Sequence, residues 1–283
     1  MAKILRKEIL TPQIKLMVVH APRVAHKAKA GQFVILRINE EGERIPLTIA
    51  DFDPREGTIT IIFQEVGKST MQLGEREEGD DIQDFVGPLG KEIEEKKFGH
   101  VVCVGGGVGI APVYPKARAL KMLGNRVTSI IGSRTADLLF WEDMMGSVSD
   151  VLYVTTDDGT YGEKGFVTSV VERVLKSEGA DLVIAVGPIM MMKMVSLLTK
   201  KFNVPTMVSL NPIMVDGTGM CGCCRVTVDH QCKFTCVDGP VFDGHLVDYD
   251  ELLARQRNYL DEEKRATETW LMKKAEEEVR HAG

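Results

Sequence analysis

The sequence predicts an α/β protein with an all-β N-terminal domain, a parallel doubly wound second domain, a small cysteine-rich segment and a C-terminal helical tail. Three observations support this order. The first third of the 283 residues alternates polar and apolar positions, the middle alternates apolar strands with helical stretches, and five of the six cysteines lie within residues 221–236. At this length about two domains are expected.

Up to about residue 95 the chain consists of short runs with a period of two, such as QFVILRI, TITIIF and DDIQDFVGPLG. Turns rich in Gly, Pro, Asp and Glu separate these runs. This pattern is typical of half-buried antiparallel strands. We therefore predict a small antiparallel barrel or sandwich over residues 1–97.

From His100 onwards continuous apolar runs such as HVVCVGG, RVTSIIGS and ADLVIAVG alternate with helical stretches. Apolar strands without alternation indicate a parallel sheet covered on both faces. We assign residues 98–207 to this domain.

The first strand of this domain leads into a glycine loop and a helix, VVCVGGGVGIAP. This arrangement places a pyrophosphate against helix N-terminal amides. The usual G-x-G-x-x-G spacing is not met, because Pro112 stands where the third glycine belongs, and a glycine turn needed only for packing is the alternative. Ser133 and Arg134 end the next strand, where an adenosine ribose would lie, and NAD and NADP both remain open. The loop residues assigned to the nucleotide are Gly105, Gly107, Gly109 and Pro112.

Gly67, Lys68 and Ser69 imitate the end of a phosphate-binding P-loop. A P-loop also needs a glycine at position 62, which is Ile62, and a preceding strand–helix context that this part of the chain lacks. The sequence therefore argues against ATP binding.

The cysteine-rich segment, assigned to residues 208–247, contains the spacing D-x4-C-x2-C in Asp216, Cys221 and Cys224, followed by Cys236. Plant-type ferredoxins use C-x4-C-x2-C with a distant fourth cysteine. Asp216 stands where that pattern has its first cysteine, and a carboxylate can hold ferric iron. A turn residue before Gly217 is an equally good interpretation of Asp216.

A zinc site is the alternative for the thiols. The ligands would be Cys221, Cys224, Cys232 and Cys236, or three cysteines with His230. We interpret Cys103, in a predicted buried strand, as a small core side chain.

The tail, residues 248–283, is charged, and Asp248 with Glu251 marks a helix start. Leu253, Leu260 and Trp270, with Leu271, give it an interrupted apolar stripe. The stripe must dock, either on this chain or on a partner.

Net charge and hydropathy exclude some functions. The formal net charge of −6 argues against nucleic acid. The N-terminus alternates like a strand and shows no targeting segment, and the most apolar run, VGPIMMMKMVSLL, is too short for a bilayer and carries Lys193. We predict a cytoplasmic protein without a membrane span.

Together these motifs resemble the ferredoxin-reductase superfamily, and within it the electron-transfer subunits of the dihydroorotate dehydrogenase B kind. The resemblance rests on RIPLT, VGKST, GGGVGIAPVYPKA, TTDDGTYGEKGFVT, VGPIMMMKMV and CVDGPVF, and extends to about Tyr249. It implies an FAD-binding barrel, an NAD(H)-binding domain and a [2Fe-2S] segment. The residues it assigns to FAD are Arg44, Pro46, Leu47, Thr48, Ile62, Phe63, Gly67, Ser69 and Thr70, and those it adds for the nicotinamide nucleotide are Asp157, Asp158, Gly159, Gly187 and Pro188.

The segment VDGTGMCGCCRV departs from the dihydroorotate subunits, which carry Cys where this chain has Asp216. It is similar instead to the small subunits of NADH-dependent reduced ferredoxin:NADP oxidoreductases, also described as sulfide dehydrogenase small subunits. That resemblance implies Asp216, Cys221, Cys224 and Cys236 as ligands of the [2Fe-2S] cluster.

The same resemblance implies a larger partner subunit with a second flavin and [4Fe-4S] clusters, through which ferredoxin is reached indirectly. NADPH oxidation there would bifurcate, with one electron going to ferredoxin and one through this chain to NAD⁺. No general base is expected, since hydride transfer needs none. Electron transfer for dihydroorotate or polysulfide chemistry, and a zinc-stabilised binding module without flavin, are the alternatives.

Overall fold

The computed structural model describes residues 1–282, so Gly283, the last residue of the predicted tail, lies outside the described residues. The first domain is a seven-stranded antiparallel sheet in the order β6-β1-β2-β5-β4-β3-β7. The strands at its two edges, β6 and β7, are separated only by Gln83, so the two edges lie close together and the sheet forms a nearly closed barrel. Its strands are β1 (Ala2–Thr11), β2 (Ile14–His20), β3 (Phe33–Arg37), β4 (Ile45–Asp53), β5 (Thr58–Gln64), β6 (Asp81–Ile82) and β7 (Asp84–Leu89), and its helices are α1 (Pro22–Ala25) and α2 (Lys68–Gly74).

The predicted alternation explains how β5 packs. Ile59, Ile61 and Phe63 lie in the core of the barrel, whereas Ile62 lies in the cluster shared with the second domain. Successive side chains of a strand point to opposite faces, so one strand serves both cores. The predicted antiparallel barrel is confirmed.

The second domain is built on a parallel sheet in the order β11-β10-β9-β8-β12-β13. The order reverses between β8 and β12, which makes this the switch point where ligands bind in doubly wound folds. Its strands are β8 (His100–Gly106), β9 (Arg126–Ser133), β10 (Val151–Thr156), β11 (Glu163–Lys164), β12 (Leu182–Val186) and β13 (Thr206–Ser209), and its helices are α3 (Ile110–Met122), α4 (Glu142–Ser147), α5 (Val167–Ser177) and α6 (Ile189–Lys201), with 3-10 turns at Gly107–Gly109 and Ala136–Leu138.

Helices cover both faces of this sheet. Val113 and Leu120 of α3 pack on one face, and Val170 of α5 and Met192 of α6 pack on the other. Because both faces are buried, the central strands β8 and β12 are almost entirely apolar, as the sequence predicted.

The cysteine-rich segment contributes a hairpin, a short helix and a strand. They are β14 (Arg225–Val228), β15 (Gln231–Phe234), α7 (Thr235–Asp238) and β16 (Val241–Asp243). β16 pairs antiparallel with β13 and so extends the second sheet, whereas β14 and β15 form a two-stranded sheet of their own. Asp229 and His230 form the hairpin turn with φ angles of 51° and 57°, the left-handed conformation that two-residue hairpin turns need.

The tail forms two helices, α8 (Tyr249–Gln256) and α9 (Leu260–Ala282), where the sequence suggested one. Asp248 caps α8 as predicted, since its Oδ1 accepts hydrogen bonds from the amides of Asp250 (3.1 Å) and Glu251 (2.9 Å). Tyr259, with φ of 71°, separates the two helices.

The tail docks on its own chain. Leu252 of α8 lies in the core formed by α5 and α6 on the second sheet. Helix α9 lies on α2, where the Lys68 amide donates to Thr267 Oγ1 (3.2 Å) and Lys274 pairs with Glu75. Leu260 and Leu271 stay exposed. Among the described residues, none of the helices has the length and hydropathy that a membrane crossing requires.

Candidate functional site

The glycine loop after β8 lies at the switch point, against the end of β12. A Cβ on Gly109 would lie 2.3 Å from the Val186 carbonyl oxygen, and one on Gly187 would lie 2.9 Å from that of Gly106. Only glycine permits this approach of two backbones. Gly107 has φ of 54° and open space on its side-chain face. The loop therefore presents backbone amides and the N-terminus of α3 to the cleft at the switch point. Pro112 lies in the first turn of that helix, and Pro188 precedes α6.

The predicted adenosine-side residues meet at the next two strand ends. The amides of Asp157 and Asp158 donate to the carbonyls of Ser133 (3.1 Å) and Arg134 (3.3 Å). Arg134 is exposed, and Ser133 is buried, with its hydroxyl bonded to the Thr135 carbonyl. The ends of β9 and β10 thus form one polar rim beside the glycine loop.

Asp158 is held in this rim by its own turn. Its Oδ1 accepts from the amide (2.9 Å) and the hydroxyl (2.7 Å) of Thr160, and these bonds lower the pKa of the carboxyl. Gly159 next to it has φ of 80°. The carboxylate is therefore ionised and orients the loop, with no feature of a general base.

Lys116 is a buried charged residue next to the glycine loop that the sequence analysis missed. It is fully buried in α3, and its Nζ donates to the Pro112 carbonyl at 2.7 Å. Burial lowers the pKa of Lys116 to about 8, and burial raises the pKa of the nearby Cys103 thiol to about 12. A lysine on the apolar face of a helix that begins at a glycine loop was the signal that could have found it.

The predicted flavin strand has an open backbone edge. The first four residues of β4 (45–48) pair with β3, as in Ile35 with Pro46 and Phe33 with Thr48. On the other side, pairing with β5 begins only at Ile49. Proline suits such a strand because no ladder bond is needed on its open side. Residues 45–48, which include Leu47, therefore offer polar backbone groups to a planar ligand, and Arg44 stands exposed just before them.

The Gly67 turn caps α2. Thr70 Oγ1 accepts from the Val66 and Gly67 amides at 3.0 and 3.1 Å, and Ser69 donates to Glu43. These hydrogen bonds within the chain satisfy the hydroxyl groups of Ser69 and Thr70 without a bound ligand. A phosphate at this helix N-terminus would have to displace the Glu43 contact.

The structure separates Ile62 from Phe63 within the predicted flavin set. Ile62 faces the second domain, whereas Phe63 is 1 % exposed and lies inside the barrel core. A contact of Phe63 with a ligand would therefore involve its backbone only.

The predicted cluster ligands divide into two pairs. Cys224 and Cys236 are buried and adjacent, since the Cys236 amide lies 3.4 Å from Cys224 Sγ. Burial, followed by the hydrogen bond to Cys224, raises the pKa of Cys236 to about 12. Cys221 is exposed and Asp216 is half-buried on the loop above them.

Asp216 forms a turn with its own loop. Its Oδ1 accepts from the Thr218 amide (2.9 Å) and its Oδ2 from the Cys221 amide (3.0 Å), and the first of these bonds is the main cause of its lowered pKa. Both interpretations of Asp216 keep support: the contacts are those of a turn residue, and they hold an ionised carboxylate on the same loop as Cys221.

The loop between β13 and β14 (residues 210–224), which carries Asp216, Cys221 and Cys224 and is called the cluster loop below, packs directly on the barrel. Gly217 has φ of 75°, and a Cβ there would lie 2.6 Å from Cδ1 of Ile35 and 2.9 Å from Cδ1 of Leu89. Phe33, Ile35, Met214, Cys224 and Cys236 form one small core. Because Ile35 pairs with Pro46, a single strand separates the cluster loop from the open edge of β4.

The donor set fits an iron–sulfur cluster, although the side chains are not gathered as a metal site. In the part of the chain that the structure describes, no three His, Cys, Asp or Glu side chains form a group that could hold a metal ion. This also applies to the zinc set with Cys232 and His230. Thr235, beside Cys236, is fully buried, and its hydroxyl is one of two buried side-chain polar atoms without a hydrogen-bond partner among the described residues. An orphaned donor next to a predicted cysteine ligand suits a sulfur acceptor.

Known protein families match two parts of the chain. Residues 211–248 match the iron–sulfur cluster binding domain of dihydroorotate dehydrogenase B, and residues 103–197 match the oxidoreductase NAD-binding domain. Together with the ferredoxin-reductase fold, these matches define an electron-transfer oxidoreductase that uses NAD(H), FAD and an iron–sulfur cluster.

The relatives identify the family. A Thermotoga maritima protein named as a dihydroorotate dehydrogenase B (NAD(+)) electron transfer subunit homolog is 51 % identical over 260 residues, covering 92 % of each chain. The electron transfer subunit of Shouchella clausii dihydroorotate dehydrogenase B is 34 % identical over 236 residues, covering 80 % of this chain and 89 % of the relative. The chain belongs to the family of dihydroorotate dehydrogenase B electron transfer subunits and their homologues.

A solved structure described as that of the NADH-dependent reduced ferredoxin-NADP oxidoreductase, in a study of flavin-based electron bifurcation, has a similar chain. It is 49 % identical with a TM-score of 0.91, covering 96 % of this chain and 98 % of the other. An Amycolatopsis cytochrome P450 reductase, 20 % identical with a TM-score of 0.61 over 71 % of this chain, shares the fold alone.

Proposed function

We propose that this chain relays electrons between a nicotinamide nucleotide in the switch-point cleft and a [2Fe-2S] cluster on the Asp216 loop, with FAD bound along the open edge of β4. When bound, a flavin supplies the conversion between two-electron hydride chemistry and one-electron transfer. The observation that carries the proposal is the packing of the cluster loop on β3, through Gly217 against Ile35, one strand away from that open edge.

The residues of this chain have separate tasks in that relay. Gly105, Gly107 and Gly109 would hold the nucleotide pyrophosphate on the N-terminus of α3. Arg44 would neutralise FAD phosphate charge, and the β4 backbone with Thr48 would orient its ring system. The remaining contacts predicted for the nucleotide, at the ends of β9, β10 and β12, come from Ser133, Arg134, Asp157, Asp158, Gly159, Gly187 and Pro188.

The cluster would be held by Asp216, Cys221, Cys224 and Cys236. Cys224 and Cys236 would hold it from the buried side and Asp216 and Cys221 from the more exposed side, and a bound cluster would supply one-electron transfer. Anaerobic purification with flavin, iron and zinc analysis tests this assignment. We expect one FAD and two irons per chain, and zinc with no flavin would contradict it.

We propose further that the chain is the small subunit of a heterodimer with a larger flavin and [4Fe-4S] subunit, in an electron-bifurcating NADH-dependent reduced ferredoxin:NADP oxidoreductase. The support is the similarity over nearly the whole chain to the solved protein of that description. Two NADPH would then deliver two electrons to ferredoxin and two, through this chain, to one NAD⁺. Co-purification from the native source tests the heterodimer: the second chain should be this larger subunit, and the complex should reduce NAD⁺ with NADPH only when oxidised ferredoxin is present.

Dihydroorotate oxidation is the second candidate, because several relatives are named as subunits of dihydroorotate dehydrogenase B. Asp216 separates the two proposals, since the resemblance gives the dihydroorotate subunits a cysteine there. Co-purification of a dihydroorotate-oxidising subunit in place of the larger flavin and iron–sulfur chain would favour this candidate.

A further inference from the structure

A cleft of about 270 Å³ lies between the cluster loop and α8. Cys221, Cys223 and Arg225, which begins β14, border it on one side, and Arg255 of α8 and Tyr259 on the other. Dinucleotide and drug-sized ligands occupy sites of roughly 300–1,000 Å³. This cleft is smaller and suits one or two amino-acid side chains.

The two arginines hold the cluster loop and keep spare donors. Arg225 Nη1 donates to the Gly222 carbonyl (3.2 Å), and Arg255 Nη2 donates to the Cys223 carbonyl (3.0 Å). A guanidinium has five N–H donors, so most of them remain for another acceptor. Neither arginine pairs with a carboxylate within the described residues, and no aspartate or glutamate lines the cleft. On a chain with a net charge of −6, this is a cationic recess.

Apolar side chains stand around the same loop. Met220 is 87 % exposed, and Val215 and Val237 are also exposed. Apolar residues beside an arginine-lined recess are the composition of a protein–protein interface. Tyr259, which separates α8 from α9 with φ of 71°, lies at the rim of the cleft.

This surface also includes a predicted cluster ligand, Cys221. Cys224 and Cys236 lie in the small core with Phe33 and Ile35, whereas Cys221 is exposed and lines the cleft. A protein seated on Met220 and in the cleft would therefore contact the outward edge of the cluster loop.

We infer that this cleft binds a carboxylate side chain of the larger partner subunit, and that Arg225 and Arg255 form the charged anchor of the electron-transfer interface. The inference rests on the heterodimer proposed above. The partner carboxylate accepts from both guanidinium groups, and an apolar patch around it covers Met220. Because the two arginines also bind the carbonyls of Gly222 and Cys223, the bound partner fixes the loop that carries Cys221.

The test measures the dissociation constant between this chain and the co-expressed larger subunit, with the unmodified chain, Arg225→Gln, Arg255→Gln, the double variant and Arg257→Gln. Arg257 is the matched control, since it is exposed on the same turn but does not line the cleft. We expect the constant to rise about tenfold in each single variant and about a hundredfold in the double variant. Arg257→Gln should bind as the unmodified chain does, and added salt should weaken the unmodified complex more than the double variant.

Flavin and iron content are measured in every variant, so that a weaker complex is separated from a damaged site. Unchanged affinity in the double variant overturns the inference and leaves the heterodimer intact, whereas absence of any complex with the unmodified chain refutes the heterodimer and the inference together. A titration with inorganic phosphate covers the remaining source of an anion. If phosphate binds the isolated chain and the double variant abolishes only that binding, the cleft is a free-anion site and the inference is wrong.

Discussion

Replacing Lys116 by methionine should stabilise the nucleotide-binding domain. Lys116 is fully buried and has no carboxylate partner among the described residues, and burial lowers its pKa from 10.5 to about 8. A difference of about 2.5 units corresponds to roughly 3 kcal/mol of penalty on the cationic form in the folded state. The substitution also removes the bond from Nζ to the Pro112 carbonyl, and this loss cancels about 1 kcal/mol of the expected gain in stability. Methionine has a similar length, so we expect a net gain of about 2 kcal/mol at pH 7.

The pH dependence of this gain follows from the direction of the shift. The unfolded chain holds its Lys116 proton up to about pH 10.5 and the folded chain only up to about pH 8. The penalty is therefore fully present below pH 8 and disappears as the pH rises towards 10.5. The unmodified chain should gain stability over this window relative to Lys116→Met, and the difference between the two should shrink.

Trp141 is the probe for this experiment, because its ring lies 5.2 Å from that of Tyr114 in α3. In a Trp270→Phe background it is the only tryptophan. The midpoint of thermal unfolding at pH 7 should rise by roughly 4–8 °C in Lys116→Met. Lys121→Met, on the same helix but in a surface ion pair with Asp150, is the control and should change the midpoint little. A midpoint that falls by several degrees in Lys116→Met, or an unaltered difference between pH 8 and 10.5, would refute the reasoning.

Four further predictions concern the cofactors and the tail. Cys236→Ser should abolish the EPR signal of the [2Fe-2S] cluster while flavin remains, whereas Cys232→Ser, at an exposed position, should keep it; an intact cluster in the first variant would contradict the ligand set. Asp216→Cys should retain a cluster with a changed EPR line shape and potential, because sulfur is softer than oxygen at equal formal charge, and unchanged spectra would make Asp216 a turn residue only. Arg44→Ala should lower the FAD content of the purified chain, and full occupancy would remove Arg44 from the flavin site. Truncation after Tyr259 removes α9 from α2, so the Lys68 amide loses its acceptor on Thr267 and the midpoint of thermal unfolding should fall; an unchanged midpoint with weaker partner binding would instead place α9 at the interface.

The sequence predicted both sheets because each has its own hydrophobic period. The strand β5 alternates between two cores and β8 is apolar throughout, as antiparallel and doubly covered parallel strands require. The switch-point loop could be predicted as well, since its glycines follow an apolar strand and precede a helix.

Other features depend on contacts between distant residues. The membership of β16 in the second sheet was missed because the cysteine-rich composition suggested a separate unit. The end of α8 was missed because no Gly or Pro marks it, and the chain turns at Tyr259 in a left-handed conformation. The approach of Gly217 to Ile35 joins positions that are far apart in the chain, and nothing in local spacing encodes it. Lys116 looks like any helical lysine until the packing of α3 shows that it is buried.

The central claim is that NAD(H), flavin and cluster sites on this one chain exchange electrons, and anaerobic titration of the isolated chain with NADH tests it most directly. Flavin absorbance and the EPR spectrum are followed in the same samples. We predict that NADH bleaches the flavin and that a rhombic signal of a reduced [2Fe-2S] cluster grows with it. As a control, chemical reduction must first show that the cluster is intact and EPR-active. If excess NADH then reduces the flavin but produces no cluster signal, the relay is contradicted.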